Sequence, residues 1–166
     1  MKIERTMTNP ISAIDVFEMI CTDEYQRRKC IDAGALSHAV SVVRTGDTAV
    51  IKARRKLPTV GFPNLLRKFV PSGVTSTETI TWGPAEDHGA RIADLDVHFH
   101  GAPAAMRGEI RIVPVDSLVT QVVVDAHFTA HVPVIGRRVE AFAAPIIVGV
   151  IDSEERTAQA WVAAGS

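Results

Sequence analysis

Residues 118–132, LVTQVVVDAHFTAHV, read as one long strand that runs almost directly into a helix of about 28 residues. The helix opens near PVIGRRVEAF and closes near Trp161. A strand has one dry face and an amphipathic helix one dry stripe, so each needs another layer against it. When one dominant helix follows a run of strands, a curved sheet wrapped around that helix satisfies both. At 1.5 Å per residue such a helix is roughly 40 Å long, enough to cross a small domain. Ile135, Val139, Phe142, Ile146 and Val150 fall along one stripe, with Arg137, Arg138, Glu140, Glu155, Arg156 and Gln159 mainly elsewhere. Pro145 removes one backbone hydrogen bond inside the helix, so a kink is expected nearby.

Upstream, residues 2–8 suit a first strand with Ile3, Arg5 and Met7 on one face. Asn9 is the expected N-cap of a following helix, with Pro10 at its first position. A second short helix is expected over residues 23–33, ending at Gly34. From residue 36 the period changes to two, and residues 36–45 and 48–57 flank Gly46-Asp47 as a hairpin. Prolines and glycines break the pattern over 58–73, and strand character returns at 74–82, 91–100, 105–114 and 118–132. The expected class is α+β: a curved antiparallel sheet of about seven strands, two short helices after the first strand, and one long C-terminal helix. One domain over residues 1–166 suits this length.

Apolar residues make up 46% of the chain, enough for a core of ordinary size. A net charge of −1 and 5% aromatics give no support to nucleic-acid binding. The N-terminal MKIERTMTN carries charge without an apolar run, and the longest apolar run, 144–151, is too short to span a bilayer. A cytoplasmic location is therefore expected. Cys21 and Cys30 lack metal-ligand spacing and read as partly buried free thiols.

Two segments carry a resemblance. The first comprises Met7–Pro10, Ser12, Val16-Phe17, Met19, Asp23 and Tyr25; the second is VPVIGRRVE followed by the apolar helix that ends in Trp161. With the element order, they resemble the START-like, polyketide-cyclase-like helix-grip superfamily (SRPBCC), and most of all a small bacterial branch of it. The resemblance implies an apolar ligand, a small molecule or lipid, held between sheet and long helix. It implies no cofactor and leaves the oligomeric state open.

Alternation assigns the faces of three strands. Leu95, Val97 and Phe99 oppose Asp94, Asp96 and His98; Met106, Gly108, Ile110 and Ile112 oppose Arg107, Glu109 and Arg111; Val122, Val124, Ala126 and Phe128 oppose Gln121, Asp125 and His127. The dry faces are expected to meet the helix. Small residues among them, Ala93, Gly108, Ala126 and Ala130, either leave a cavity or are covered by larger neighbours. His98, His100, His127 and His131 belong to the wet face, where charge alternation explains them better than a metal site does.

In VTSTETITW, residues 74–82, Glu78 alternates with Ile80 and Trp82, which argues that it points inward to anchor a ligand with Arg55 as a possible partner; the alternative is a structural ion pair at the cavity rim or an outward-facing residue. The expected ligand contacts are Glu78, Trp82, Val97, Phe99, Ile110, Val124, Phe128, Phe142, Ile146 and Val150. GFPNLLRKFVP, residues 61–71, reads as a short amphipathic helix bearing Phe62, Leu65, Leu66 and Phe69: either a lid, with Arg67 and Lys68 able to touch a membrane transiently, or a connecting helix packed on the core edge. No phosphate-binding glycine loop, G-x-S-x-G elbow or H-E-x-x-H occurs. The leading expectation is a non-catalytic binder of a hydrophobic molecule. Its alternatives are a cyclase or hydratase with Glu78 as general base, which requires a raised Glu78 pKa, and an interaction module with a filled core.

Overall fold

The computed structural model describes residues 1–165. Its elements are β1 (Lys2–Asn9), α1 (Ala13–Ile20), α2 (Asp23–Asp32), β2 (Ser37–Thr45), β3 (Thr48–Leu57), the single turn α3 (Asn64–Arg67), β4 (Val74–Trp82), β5 (Arg91–His100), β6 (Ala104–Pro114), β7 (Thr120–Ala130) and α4 (Gly136–Ala163). The strands form one curved seven-stranded sheet in the order β1-β7-β6-β5-β4-β3-β2, with every neighbouring pair antiparallel. The long helix lies against this sheet, which makes the architecture a helix grip.

The expected strands are present to within two residues at each end, because each carries its own period-two alternation and its own turn signals. The expected start of α1 is corrected. Asn9 does not cap it: the β1–β7 ladder continues through Asn9↔Thr120, and Asn9 is buried. Ser12 takes the cap, its Oγ accepting from the Asp15 amide at 3.1 Å. Pairing across the sheet outweighed a local capping preference.

Two halves of α4 are held differently. The C-terminal half buries Ile151, Ser153, Thr157 and Ala158. It is pinned by polar contacts: Arg5 of β1 pairs with Asp152, the Thr8 amide donates to Glu155 Oε1 at 3.0 Å, and Thr157 Oγ1 donates to Asp32 Oδ2 of α2 at 2.8 Å. Trp161 packs edge-on to Tyr25, with ring centroids 5.6 Å apart. The N-terminal half, by contrast, buries nothing completely, and Ile146 is 37% exposed. Its entry from β7 is tight: the Ala130 amide donates to Glu140 Oε1 at 3.1 Å, and a Cβ on Gly136 would sit 2.7 Å from the Ala130 carbonyl oxygen.

The small residues of the inner sheet face do not make room for a ligand. Ala93, Ala126 and Ala130 are packed into the core cluster, and the space a Gly108 side chain would need is occupied by β7. A Cβ there would lie 2.1 Å from the Asp125 carbonyl oxygen and 2.4 Å from Ala126 Cα. Glycine lets β6 and β7 approach; it does not open a void. Gly108→Ala is expected to lower the unfolding free energy by about 1–3 kcal/mol in chemical denaturation, since backbone must shift to admit the methyl group.

Candidate functional site

A cavity of about 220 Å³ lies between the sheet and α4. Its walls come from four directions. The sheet contributes Trp82, Val97, Phe99, Met106, Ile110, Val124 and Phe128; α4 contributes Val139, Phe142, Ala143, Ile146, Ile147 and Val150; α1 and α2 contribute Val16, Met19, Tyr25 and Gln26; the segment around α3 contributes Phe62, Leu66, Phe69 and Val70. All ten residues expected from the sequence to face a ligand line this one space. Three of the four lid residues do so too. Leu65 does not line it and is 50% exposed. The single turn of α3 is too short to turn all four apolar side chains the same way.

Phe62 closes on α4 by packing edge-on to Phe142, with centroids 5.1 Å apart. Phe99 and Phe128 make the same contact across the sheet wall at 5.6 Å. At the far end, Trp82 is buried beneath Phe17 of α1, and the Arg91 guanidinium stacks 3.6 Å from the Phe17 ring centre.

Four charged side chains meet at one wall. Lys29 Nζ of α2 lies 3.2 Å from Glu78 Oε1 of β4 and 3.2 Å from Glu154 Oε2 of α4. Arg55 of β3 approaches the same two carboxylates, with Nη2 3.4 Å from Glu78 Oε2 and Nη1 3.5 Å from Glu154 Oε1. Glu78 and Arg55 point inward, as their alternation with Ile80, Trp82, Ala53 and Ile51 requires. Burial works against the charge on Lys29, Arg55 and Glu78 and is the largest single influence on each of the three. It would raise the Glu78 pKa, but Lys29 and Arg55 hold the carboxyl below its ordinary range. It would lower the Lys29 pKa, but Glu154 and Glu78 hold the ammonium above its ordinary range. Glu78 and Lys29 are therefore both held in their charged forms at neutral pH.

Sequence reasoning found half of this ring. Lys29 and Glu154 were missed, although a signal for each exists. Tyr25, Gln26, Lys29 and Cys30 form the buried stripe of α2, so Lys29 sits among side chains that must face the core. Glu154 falls four residues after Val150 on the cavity-facing stripe of α4. Histidines play no part: His98 and His127 are exposed on the outer sheet face, His131 is exposed just after β7, and His100 Nε2 lies 2.8 Å from Thr77 Oγ1. Among the described residues no group of three or more His, Cys, Asp or Glu could hold a metal ion. Cys21 and Cys30 are free, and burial pushes the Cys21 thiol up to about 11, far from a reactive thiolate at neutral pH.

The fold is of the START-like helix-grip kind, and the likeness to solved structures agrees. The protein TTHA0849 from Thermus thermophilus superimposes with a TM-score of 0.68 at 14% identity, covering 100% of this chain and 99% of that one. The Zhui aromatase/cyclase from Streptomyces sp. R1128 does so with a TM-score of 0.65 at 16% identity, covering 98% and 95%. A START superfamily protein from Mycobacterium smegmatis gives 0.53 at 14% identity, covering 93% and 94%. At these identities the likeness establishes the fold alone. Residues 4–162 match the family described as "Protein of unknown function (DUF2505)", and the chain belongs to that family. No curated protein matches the sequence.

Breaking the charge ring leaves an uncompensated charge in the interior. Lys29→Met or Glu78→Gln alone is expected to cost about 3–5 kcal/mol in denaturant unfolding. The double variant should cost less than the sum of the two by at least about 1 kcal/mol. The ring also sets a pH window. Glu78, with its pKa lowered by folding, stabilises fully above about pH 5, and that stability is lost as pH falls through its folded value. Lys29, with its pKa raised, stabilises fully below about pH 10, and that stability is lost as pH rises through its folded value. Melting temperatures measured across pH should form a plateau between those limits, and Glu78→Gln should flatten its acid edge.

Proposed function

We propose that this protein binds, and can carry, a hydrophobic small molecule or lipid in the cavity between the sheet and α4. The observation that supports this reading is the contrast between the two halves of α4. One half is fixed to β1 and α2, while the other spans a cavity of about 220 Å³ with mostly apolar walls. Closely packed interiors rarely keep such a space, because unfilled volume costs stability. The ligand lies against Val97, Phe99, Ile110, Val124 and Phe128 on one side and Phe142, Ile146 and Val150 on the other. Burial of its apolar surface supplies affinity at about 25 cal/mol per Å². The segment carrying Phe62, Leu66 and Phe69 serves as the lid.

The reading with Glu78 as general base of a cyclase or hydratase has less support. Such a base works best with a pKa near neutrality, and Glu78 is held in the opposite direction by two cations. An interaction module with a filled core has less support still, given the cavity.

The lid end is suited to ligand exchange at a membrane. Arg67, Lys68, Arg137 and Arg138 are exposed there without salt-bridge partners among the described residues, beside exposed Val60, Leu65, Phe69 and Val134. Glu140, one turn beyond Arg137 on α4, is occupied by the N-terminal ammonium and the Ala130 amide. Vesicles rich in phosphatidylglycerol should sediment the protein more than phosphatidylcholine vesicles do. Arg67→Glu with Lys68→Glu should remove the difference, as should high salt.

The central test is occupancy. Nile red should bind at one site with a rise in fluorescence. Ala143→Trp, which fills the cavity from α4, should weaken that binding by about tenfold or more while the melting temperature stays within a few degrees. Binding unaffected by the substitution would place the dye elsewhere and remove the basis for the proposal.

A further inference from the structure

The polar atoms left without partners point to the chemistry of the ligand. Among the described residues, every buried side-chain nitrogen or oxygen lacking a hydrogen-bond partner belongs to Asn9, Gln26, Arg55 or Trp82. All four residues line the cavity. The orphaned atoms are two acceptors, Asn9 Oδ1 and Gln26 Oε1, and three donors, Arg55 Nε, Arg55 Nη1 and Trp82 Nε1. Gln26 is oriented by its Nε2, which donates to the Ile20 carbonyl oxygen at 2.7 Å, so its Oε1 is the atom left over. Arg55 Nη1 has Glu154 Oε1 at 3.5 Å as an ion-pair neighbour, without hydrogen-bond geometry. Buried polar groups are normally satisfied, and leaving one unsatisfied costs about 1–3 kcal/mol. Four residues that carry such atoms and line one cavity are a feature of that site rather than imperfections scattered over the molecule.

The charge count narrows the choice. Lys29, Arg55, Glu78 and Glu154 are the charged residues that line the cavity, and they neutralise one another two against two. No cation is left over to balance an anionic head. A carboxylate entering this space would be desolvated beside Glu78 and Glu154 without a counter-ion of its own. A hydroxyl or carbonyl oxygen adds no charge, accepts from Arg55 or Trp82, and in the case of a hydroxyl also donates to Asn9 or Gln26.

We infer that the cavity selects neutral, oxygen-bearing hydrophobic molecules, alcohols above all, and rejects carboxylates of the same chain length. The inference rests on the ligand-binding reading above and adds the ligand class to it.

The experiment compares n-octanol, octanoate and n-octane by displacement of Nile red from the intact protein. At neutral pH octanol should bind at least about tenfold more tightly than octanoate. Octanoate should gain affinity by nearly tenfold for each unit the pH is lowered toward its own pKa, because only the neutral acid enters. Octanoate binding as tightly as octanol, without pH dependence, would overturn the charge argument. Trp82→Phe keeps the ring and removes one donor. It should weaken octanol about fivefold while octane changes by less than about twofold. Equal losses for both ligands would mean that Trp82 only shapes the wall, and would overturn the hydrogen-bond argument. Arg55→Lys, which keeps the charge but removes Nε, gives the same comparison at the second donor. If none of the three molecules displaces the dye from wild-type protein, the ligand-binding reading itself fails, an outcome distinct from either reversal of preference.

Discussion

Three buried charges and the half-buried Glu154 set the interior of this protein. Lys29, Arg55, Glu78 and Glu154 come from α2, β3, β4 and α4, four elements distant in sequence. None of them can be buried alone, because a desolvated charge without a partner is among the most costly things a fold can contain. Their mutual contact therefore ties the two helices to the sheet at one place. It also keeps that part of the interior polar, so that it cannot simply fill with aliphatic side chains. A cavity with apolar walls and one polar side follows from that constraint.

The long helix divides according to what lies beneath it. Beyond Val150 it meets partners that hold it: Arg5 to Asp152, the Thr8 amide to Glu155, Asp32 to Thr157, and Tyr25 to Trp161. Before Val150 it meets the cavity, and Phe142 packs edge-on to Phe62 from the segment before α3. On the proposed reading, an apolar guest would enter at the end of the cavity near α3, away from the charge ring and the anchored half of the helix.

Much of the fold could be read before any coordinates. The strand at 74–82 and the hairpin around Gly46-Asp47 each carry a complete local signal: alternation, β-branched residues and punctuation at both ends. The same alternation turned Glu78 and Arg55 inward and the four histidines out of the core. Asn9 shows where local reading fails. Its capping chemistry was real, but the ladder to Thr120 carried the strand past it and left Ser12 to cap α1. Gly108 shows a second limit. A small residue on a dry face looks like empty space in a sequence, whereas here the neighbouring strand occupies that space.

The sequence by itself determined the order of elements, the dry face of each strand, and the need for a sheet around a terminal helix. Those properties depend on residues within a few positions of one another, where spacing along the chain translates directly into geometry. Only the tertiary structure decided that Lys29 and Glu154 complete the ring around Glu78, that Leu65 turns away from the cavity while Leu66 lines it, and that Asn9, Gln26, Arg55 and Trp82, each with an unpaired polar atom, line one cavity. Contacts of that kind join residues far apart in the chain. They depend on how the elements cross and how closely they pack, which no local period encodes.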